Sequence, residues 1–269
     1  MVLVIKIGGS MLKAGISPDF IEDLKKVHEN QRVVLTHGGG REVTDIATKL
    51  GKEQKFVVSP EGFRSRYTDK ETVGIYTMVV SGKINKEIVA TLIKYHIPAV
   101  GVSGIDGAMI QAERKKQLII VDEQKRKKVI EGGYTGKIAK VNSGVLDVLL
   151  EAGYMPVVAP VALGLENEYL NIDGDRAAAY VAGAVRASHL ILITDVQGLI
   201  IGEKLVPKLT AAEAEAKLSK IGHGMSTKIY AATEALRLGV GEVIITSGLG
   251  KEPITTALAH KAGTVVTSA

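Results

Sequence analysis

Residues 2–10 read VLVIKIGGS, and this stretch decides the fold. It is a continuous apolar, β-branched run that stops at a glycine pair, the mark of a strand buried on both faces of a parallel sheet. It also carries one charge, Lys6. A charged side chain in a buried strand costs several kcal/mol unless it has a partner. What Lys6 meets at the end of the strand is therefore the first question the sequence raises.

The pattern repeats outward from there. Strands are predicted over residues 2–7, 32–36, 99–102, 156–159, 189–194, 242–246 and 264–267. Amphipathic helices are predicted over residues 18–29, 41–50, 143–152, 175–185 and 226–238. Apolar strands alternating with helices predict a three-layer αβα sandwich around an open, mainly parallel sheet. In such sheets ligands sit at the carboxyl ends of the strands. One region breaks the rhythm: residues 117–121 and 127–130 alternate in polarity around the turn DEQKR, which predicts a β-hairpin rich in lysine and arginine.

Bulk composition narrows the function. The chain has 269 residues with 46% apolar content, enough for one large α/β domain or two lobes. It has no cysteine, which removes disulfides and thiolate metal sites and fits a reducing compartment. Aromatic content of 4% with no tryptophan argues against stacking on single-stranded nucleic acid. The longest apolar stretch, from Leu146, is broken by Glu151, Gly153, Pro156 and Pro160, so no membrane span is predicted. Met1 leads straight into a strand, so a cytoplasmic protein without a signal segment is expected.

Two glycine turns follow consecutive strands, Gly8-Gly9-Ser10 and His37-Gly38-Gly39-Gly40. Glycine lets backbone N–H groups approach an anion closely. Neither turn fits the P-loop or dinucleotide pattern. Each also suits an ordinary turn, and His37 suits a structural role as well as a catalytic one. Further on, Asn171, Asp173 and Asp175 alternate just before a small-residue helix; they fit a helix cap as well as a substrate and charge-organising site. Lys228 lies in the first turn of a later helix, where the dipole disfavours a cation; it fits a simply solvated lysine as well as one facing an anion.

Together, IKIGGS, HGGG, LNIDGD, LITDVQG and GHGMSTK occur in the order found in the amino acid kinase family, which the chain resembles over nearly its whole length. SGKINKEI, GVSGIDG and AGYMPVVAPVAL resemble its N-acetylglutamate kinase branch. The resemblance implies transfer of the γ-phosphoryl group of ATP, with Mg²⁺, to a carboxylate. The acceptor would bind an N-lobe (1–170) and ATP a C-lobe (171–269). It implies that Lys6 and Lys228 neutralise the phosphoryl group, that Gly9 and Gly39 donate N–H bonds to it, and that Asp175 holds both lysines. Gly39, Gly40 and Asn171 would fix the acceptor, and Gly8, Thr194, Asp195, Gly198 and Met225 would line the nucleotide site. The family motif has Asn where this chain has Asp173. No protein metal ligands are expected, because the metal is held mainly by phosphate oxygens.

Two departures resemble the carrier-protein branch, the [LysW]-aminoadipate/[LysW]-glutamate kinases of lysine and arginine biosynthesis. One is SPEGFRSRYTD, in which Arg66 matches the carboxylate-binding arginine and Arg64 is second choice. The other is the basic hairpin ending in EGGYTGK. The implied partner is a small acidic carrier protein bearing the substrate, met by Lys115, Lys116, Lys127, Lys128, Tyr134 and Lys137; complementary charge speeds such encounters. The alternatives are an N-acetylglutamate kinase acting on the free amino acid, and a non-catalytic nucleotide or amino-acid sensor. A homodimer through the helix near residues 72–96 is also implied.

Overall fold

The computed structural model describes residues 1–218 and 221–269. Eight of its strands form the central sheet: β1 (Val2–Ile7), β2 (Arg32–His37), β3 (Ala99–Ser103), β4 (Met155–Ala159), β5 (His189–Thr194), β6 (Lys208–Thr210), β7 (Glu242–Ser247) and β8 (Thr264–Thr267). Their spatial order is β6-β8-β7-β5-β1-β2-β4-β3, and every neighbouring pair is parallel except β7 with β8. All seven sequence-predicted strands are present in the sheet; β6 is the one the sequence reading missed.

β1 lies at the centre, between β5 and β2. Because side chains alternate along a strand, its residues serve two cores. Leu3, Ile5 and Ile7 pack with Phe20, Val43 and Ile88 on one face, whereas Val4 packs with Ala178, Val181 and Leu192 on the other. Lys6 shares the parity of Val4. It therefore faces the layer that holds helices α1 (Gly174–Ala184) and α2 (His223–Arg237). Period-two alternation alone thus aims the one charged residue of β1 at α1.

Beside the carboxyl ends of the sheet stands a second, four-stranded sheet, ordered Tyr169–Asn171, Val161–Gly164, Ile110–Arg114, Gly136–Val141. The predicted basic hairpin exists as Gln117–Val121 paired with Lys127–Glu131. A smaller hairpin, Phe56–Val58 with Arg64–Arg66, sits against it. The long helix has α-helical ends, Lys70–Thr77 and Asn85–Lys94, joined by a π-helical segment, Met78–Ile84. Asp69 caps its start, accepting from the Thr72 N–H at 2.8 Å. No helix among the described residues is long and apolar enough to cross a membrane.

Candidate active site

The carboxyl ends of β1, β2 and β5 open into a cavity of about 910 Å³. Three charged groups meet there. The Asp175 carboxylate, in the first turn of α1, takes Lys6 Nζ on one oxygen at 2.6 Å and Lys228 Nζ on the other at 3.0 Å. Asp175 and Lys6 are each 5% exposed. Burial by itself raises the Asp175 carboxyl, but the two ammonium groups outweigh it and hold the group at about 2. Lys6 thus has its partner. Lys228 lies in the second turn of α2, not the first as its position in GHGMSTK suggested; what holds it is the Asp175 carboxylate rather than the helix end.

The acidic turn divides its labour. The chain is extended only through Asn171; it then turns, and α1 begins at Gly174. Asp173 is the cap: its Oδ1 accepts from the Asp175 and Arg176 N–H groups at 3.0 and 2.9 Å. Both the capping role and the charge-organising role are therefore filled, by different aspartates. Asn171 Nδ2 donates to Thr68 Oγ1 at 2.9 Å and faces the cavity.

Opposite the lysines, the two glycine turns face each other. A Cβ added to Gly9 would lie 3.5 Å from the Gly39 nitrogen and 3.9 Å from that of Gly40. Among the described residues, the N–H groups of Gly9, Gly39 and Gly40 find no protein acceptor. Gly8 differs: its N–H is spent on Ile193 O at 3.1 Å, within the sheet. Gly198 also lies off the cavity, packed against Thr264 with φ +152°. Thr194, Asp195 and Met225 line the far side.

Both arginines line the cavity, but they differ in what they touch. Arg66 is buried, and its guanidinium is occupied by Gly40 O at 2.6 Å, Thr44 Oγ1 at 2.9 Å and Gln54 Oε1. Arg64 is exposed, lines the cavity and forms no ion pair among the described residues; its Cζ lies 4.0 Å above the Phe56 ring. Lys115 is placed differently from its five companions. It lines the cavity, where burial and then the nearby Arg176 lower its pKa, whereas Lys116, Lys127, Lys128 and Lys137 are exposed. Tyr134 is half-buried under Arg114, 4.1 Å from its ring.

Arg176 went unremarked in the sequence although it follows Asp175 directly. It lines the cavity while making a two-pronged pair with Glu234 at 2.7 and 2.6 Å. Phe63 in the loop of the small hairpin meets Tyr230 of α2 edge-on, centroids 6.2 Å apart.

An open αβα sandwich with a cationic, glycine-lined cavity at its strand ends defines the class to which this chain is assigned. The chain belongs to the amino acid kinase family, whose model matches residues 1–247. A [LysW]-aminoadipate/[LysW]-glutamate kinase of Saccharolobus solfataricus is 43% identical over 265 residues, covering 98% of each chain. Proteins of Nitrosopumilus maritimus and Cenarchaeum symbiosum are 52% and 54% identical, again over 98% of each chain. Among solved structures, smu.665 from Streptococcus mutans superposes with a TM-score of 0.81 at 24% identity, covering 100% of this chain and 99% of that one. A carbamate kinase from Giardia lamblia bound to AMP-PNP superposes at 0.65 with 18% identity, covering 99% and 98%. At these identities the two structures speak for the fold.

Proposed function

We propose that this protein transfers the γ-phosphoryl group of ATP to the side-chain carboxylate of a 2-aminoadipate or glutamate whose amino group is joined to a LysW-type acidic carrier protein. The observation that carries the reading is the convergence of Lys6 and Lys228 on one buried carboxylate, opposite unoccupied N–H groups of two glycine turns. It occurs in a chain that matches a [LysW]-aminoadipate/[LysW]-glutamate kinase along its length.

Phosphoryl transfer needs positioning and charge neutralisation more than covalent help. A carboxylate oxygen of the acceptor attacks the γ-phosphorus, the bond to the ADP oxygen breaks, and ADP leaves; no proton has to be removed. Lys6 and Lys228 neutralise the charge in flight, and Gly9 and Gly39 donate N–H bonds to the equatorial oxygens. Asp175 keeps the two ammonium groups apart and aimed. Arg64 presents a free planar fork to an acceptor carboxylate, Arg66 anchors Gly40, and Asn171 orients the acceptor. Thr194, Asp195 and Met225 border the nucleotide, while Gly8 and Gly198 shape the flanking loops. Mg²⁺ would be held chiefly through phosphate oxygens. On this reading residues 1–170 serve the acceptor and 171–269 the nucleotide. The exposed Lys116, Lys127, Lys128 and Lys137, with Tyr134, receive the carrier, and Lys115 reaches the substrate end within the cavity.

Lysine and arginine biosynthesis in the cytoplasm, by a homodimer joined through residues 72–96, completes the proposal. Met78 and Ile93 of that helix are 54% and 51% exposed, which suits a covered face.

The test is product trapping. With ATP and Mg²⁺, carrier-linked aminoadipate or glutamate should yield hydroxamate in the presence of hydroxylamine, faster at low salt. An equal yield from free N-acetylglutamate overturns the carrier reading, and no hydroxamate from any acceptor overturns the kinase reading.

A further inference from the structure

We propose that His37 and Asn85 are positioning residues for phosphoryl transfer, holding the Gly38–Gly39 peptide so that the Gly39 N–H points into the cavity. This rests on the phosphoryl-transfer reading above and assigns work to two side chains that reading leaves idle.

His37 ends β2 and is fully buried. Its Nδ1 lies 2.8 Å from Gly38 O, and its Nε2 lies 3.2 Å from Asn85 Nδ2. A carbonyl oxygen only accepts, so Nδ1 carries the proton. The Asn85 amide is fixed the same way: its Nδ2 donates to Val157 O at 2.9 Å, and its Oδ1 accepts from Lys86 Nζ at 3.1 Å. Nε2 is therefore the acceptor, and the ring is neutral. Burial, then the Lys6 and Lys86 charges facing the ring, pull its pKa down to about 4 against the bond to Gly38 O, which raises it.

The bonded carbonyl matters because a peptide unit is planar and trans. Gly38 C=O and Gly39 N–H belong to one unit and point in opposite directions. Tying the carbonyl back to the imidazole turns the N–H outward, to the cavity. Glycines on both sides leave that unit free to rotate, so an external lock is required. The long helix supplies the rest of it. Its π-helical segment places Ile84 and Val80 against Gly39, where a Cβ would collide with Ile84 Cδ1, and delivers Asn85 one residue later to the ring. π-helical insertions within α-helices are frequent at functional sites. On the edge strand β3, Gly101 leaves the space that Asn85 Oδ1 occupies.

The test compares His37→Phe, which keeps the bulk and removes the donor, with Asn85→Ala. A lost oxyanion donor costs about 100–1000-fold in kcat. A peptide freed to rotate should therefore lower kcat at least tenfold, with KM for ATP and acceptor within about threefold of wild type. A folded His37→Phe enzyme with kcat within twofold of wild type overturns the proposal. Two measurements stand apart from the identity of the acceptor. Aluminium fluoride should tighten ADP binding in the wild type, and that gain should shrink at least tenfold in both variants while ADP alone binds unchanged; an unchanged gain overturns the proposal. If His37→Phe does not fold, ¹⁵N NMR of histidine-labelled wild type decides: the Nδ1-protonated tautomer supports the lock, and the Nε2-protonated tautomer refutes it.

Discussion

Replacing Asp175 by Asn removes the one negative charge that Lys6 and Lys228 share. Coulomb's law at an effective dielectric of about 20 gives a gross attraction of about 6 kcal/mol for each contact, at 2.6 and 3.0 Å. Desolvation offsets much of that, so the net cost of stranding buried partners is about 3–5 kcal/mol. The folded Asp175→Asn protein should therefore lose that much in urea unfolding, and its turnover should fall by about a hundredfold or more. A second consequence separates this account from loss of packing. The stranded ammonium groups should crave an anion, so a non-hydrolysable ATP analogue should raise the melting temperature of Asp175→Asn more than that of wild type. Wild-type stability in the variant, or an equal ligand-induced shift in both, would refute the assignment of Asp175 as the shared counter-charge.

The same carboxylate has a pH signature. Its folded pKa, about 2, lies below the ordinary aspartate value of 3.8, so its contribution is fully present above about pH 4 and is lost as pH falls through 2. The stability gap between wild type and Asp175→Asn should thus narrow by about 2–3 kcal/mol between pH 4 and 2 in acid titrations of unfolding. Gly39→Ala, strained at φ +150° and blocked by Ile84, should cost about 1–3 kcal/mol in thermal unfolding and abolish most turnover. Arg64→Ala should raise the acceptor KM with the melting temperature kept. Arg66→Ala, by contrast, should lower stability by about 1–3 kcal/mol, because it removes a buried guanidinium bonded to Gly40 O, Thr44 Oγ1 and Gln54 Oε1. Reversing the charge of exposed Lys127 and Lys128 should slow reaction with the carrier-linked acceptor and flatten its salt dependence, leaving N-acetylglutamate kinetics alone.

Much of this architecture was legible in the chain because its strands are uninterrupted apolar runs. β1, β2, β5 and β7 are buried on both faces and announce themselves without alternation. The anomaly of Lys6 within β1 was legible too, and period two already aimed it at the face that carries Asp175. What stayed hidden depends on contacts between distant segments. Nothing in MVVSGKI marks a π-helical segment; packing against the glycine turn selects it. Arg64 and Arg66 differ by two positions and look alike in sequence. Both project from one face of the hairpin over Phe56, and only the distant partners Gly40, Thr44 and Gln54 bury Arg66 while Arg64 stays exposed. Lys115 reads as one more charge on a basic hairpin, yet it lies before the hairpin's first strand and sinks into the cavity wall. The spent N–H of Gly8 was equally invisible, because it depends on β5, far along the chain.

The position of β1 has a consequence for biogenesis. Its neighbours are β2, made soon afterwards, and β5, made after most of the chain has left the ribosome. Until residue 175 emerges, the Lys6 ammonium has no counter-ion, and until residue 189 emerges one long edge of β1 is unpaired. A nascent fragment ending before residue 175 therefore holds a raw apolar edge with a charge in it, the kind of surface that chaperones retain and proteases find. Arrested chains from which residue 194 has emerged should, by contrast, resist digestion across β1. The order in which this enzyme is synthesised thus sets a late checkpoint, at which the central strand and the reactive centre close together.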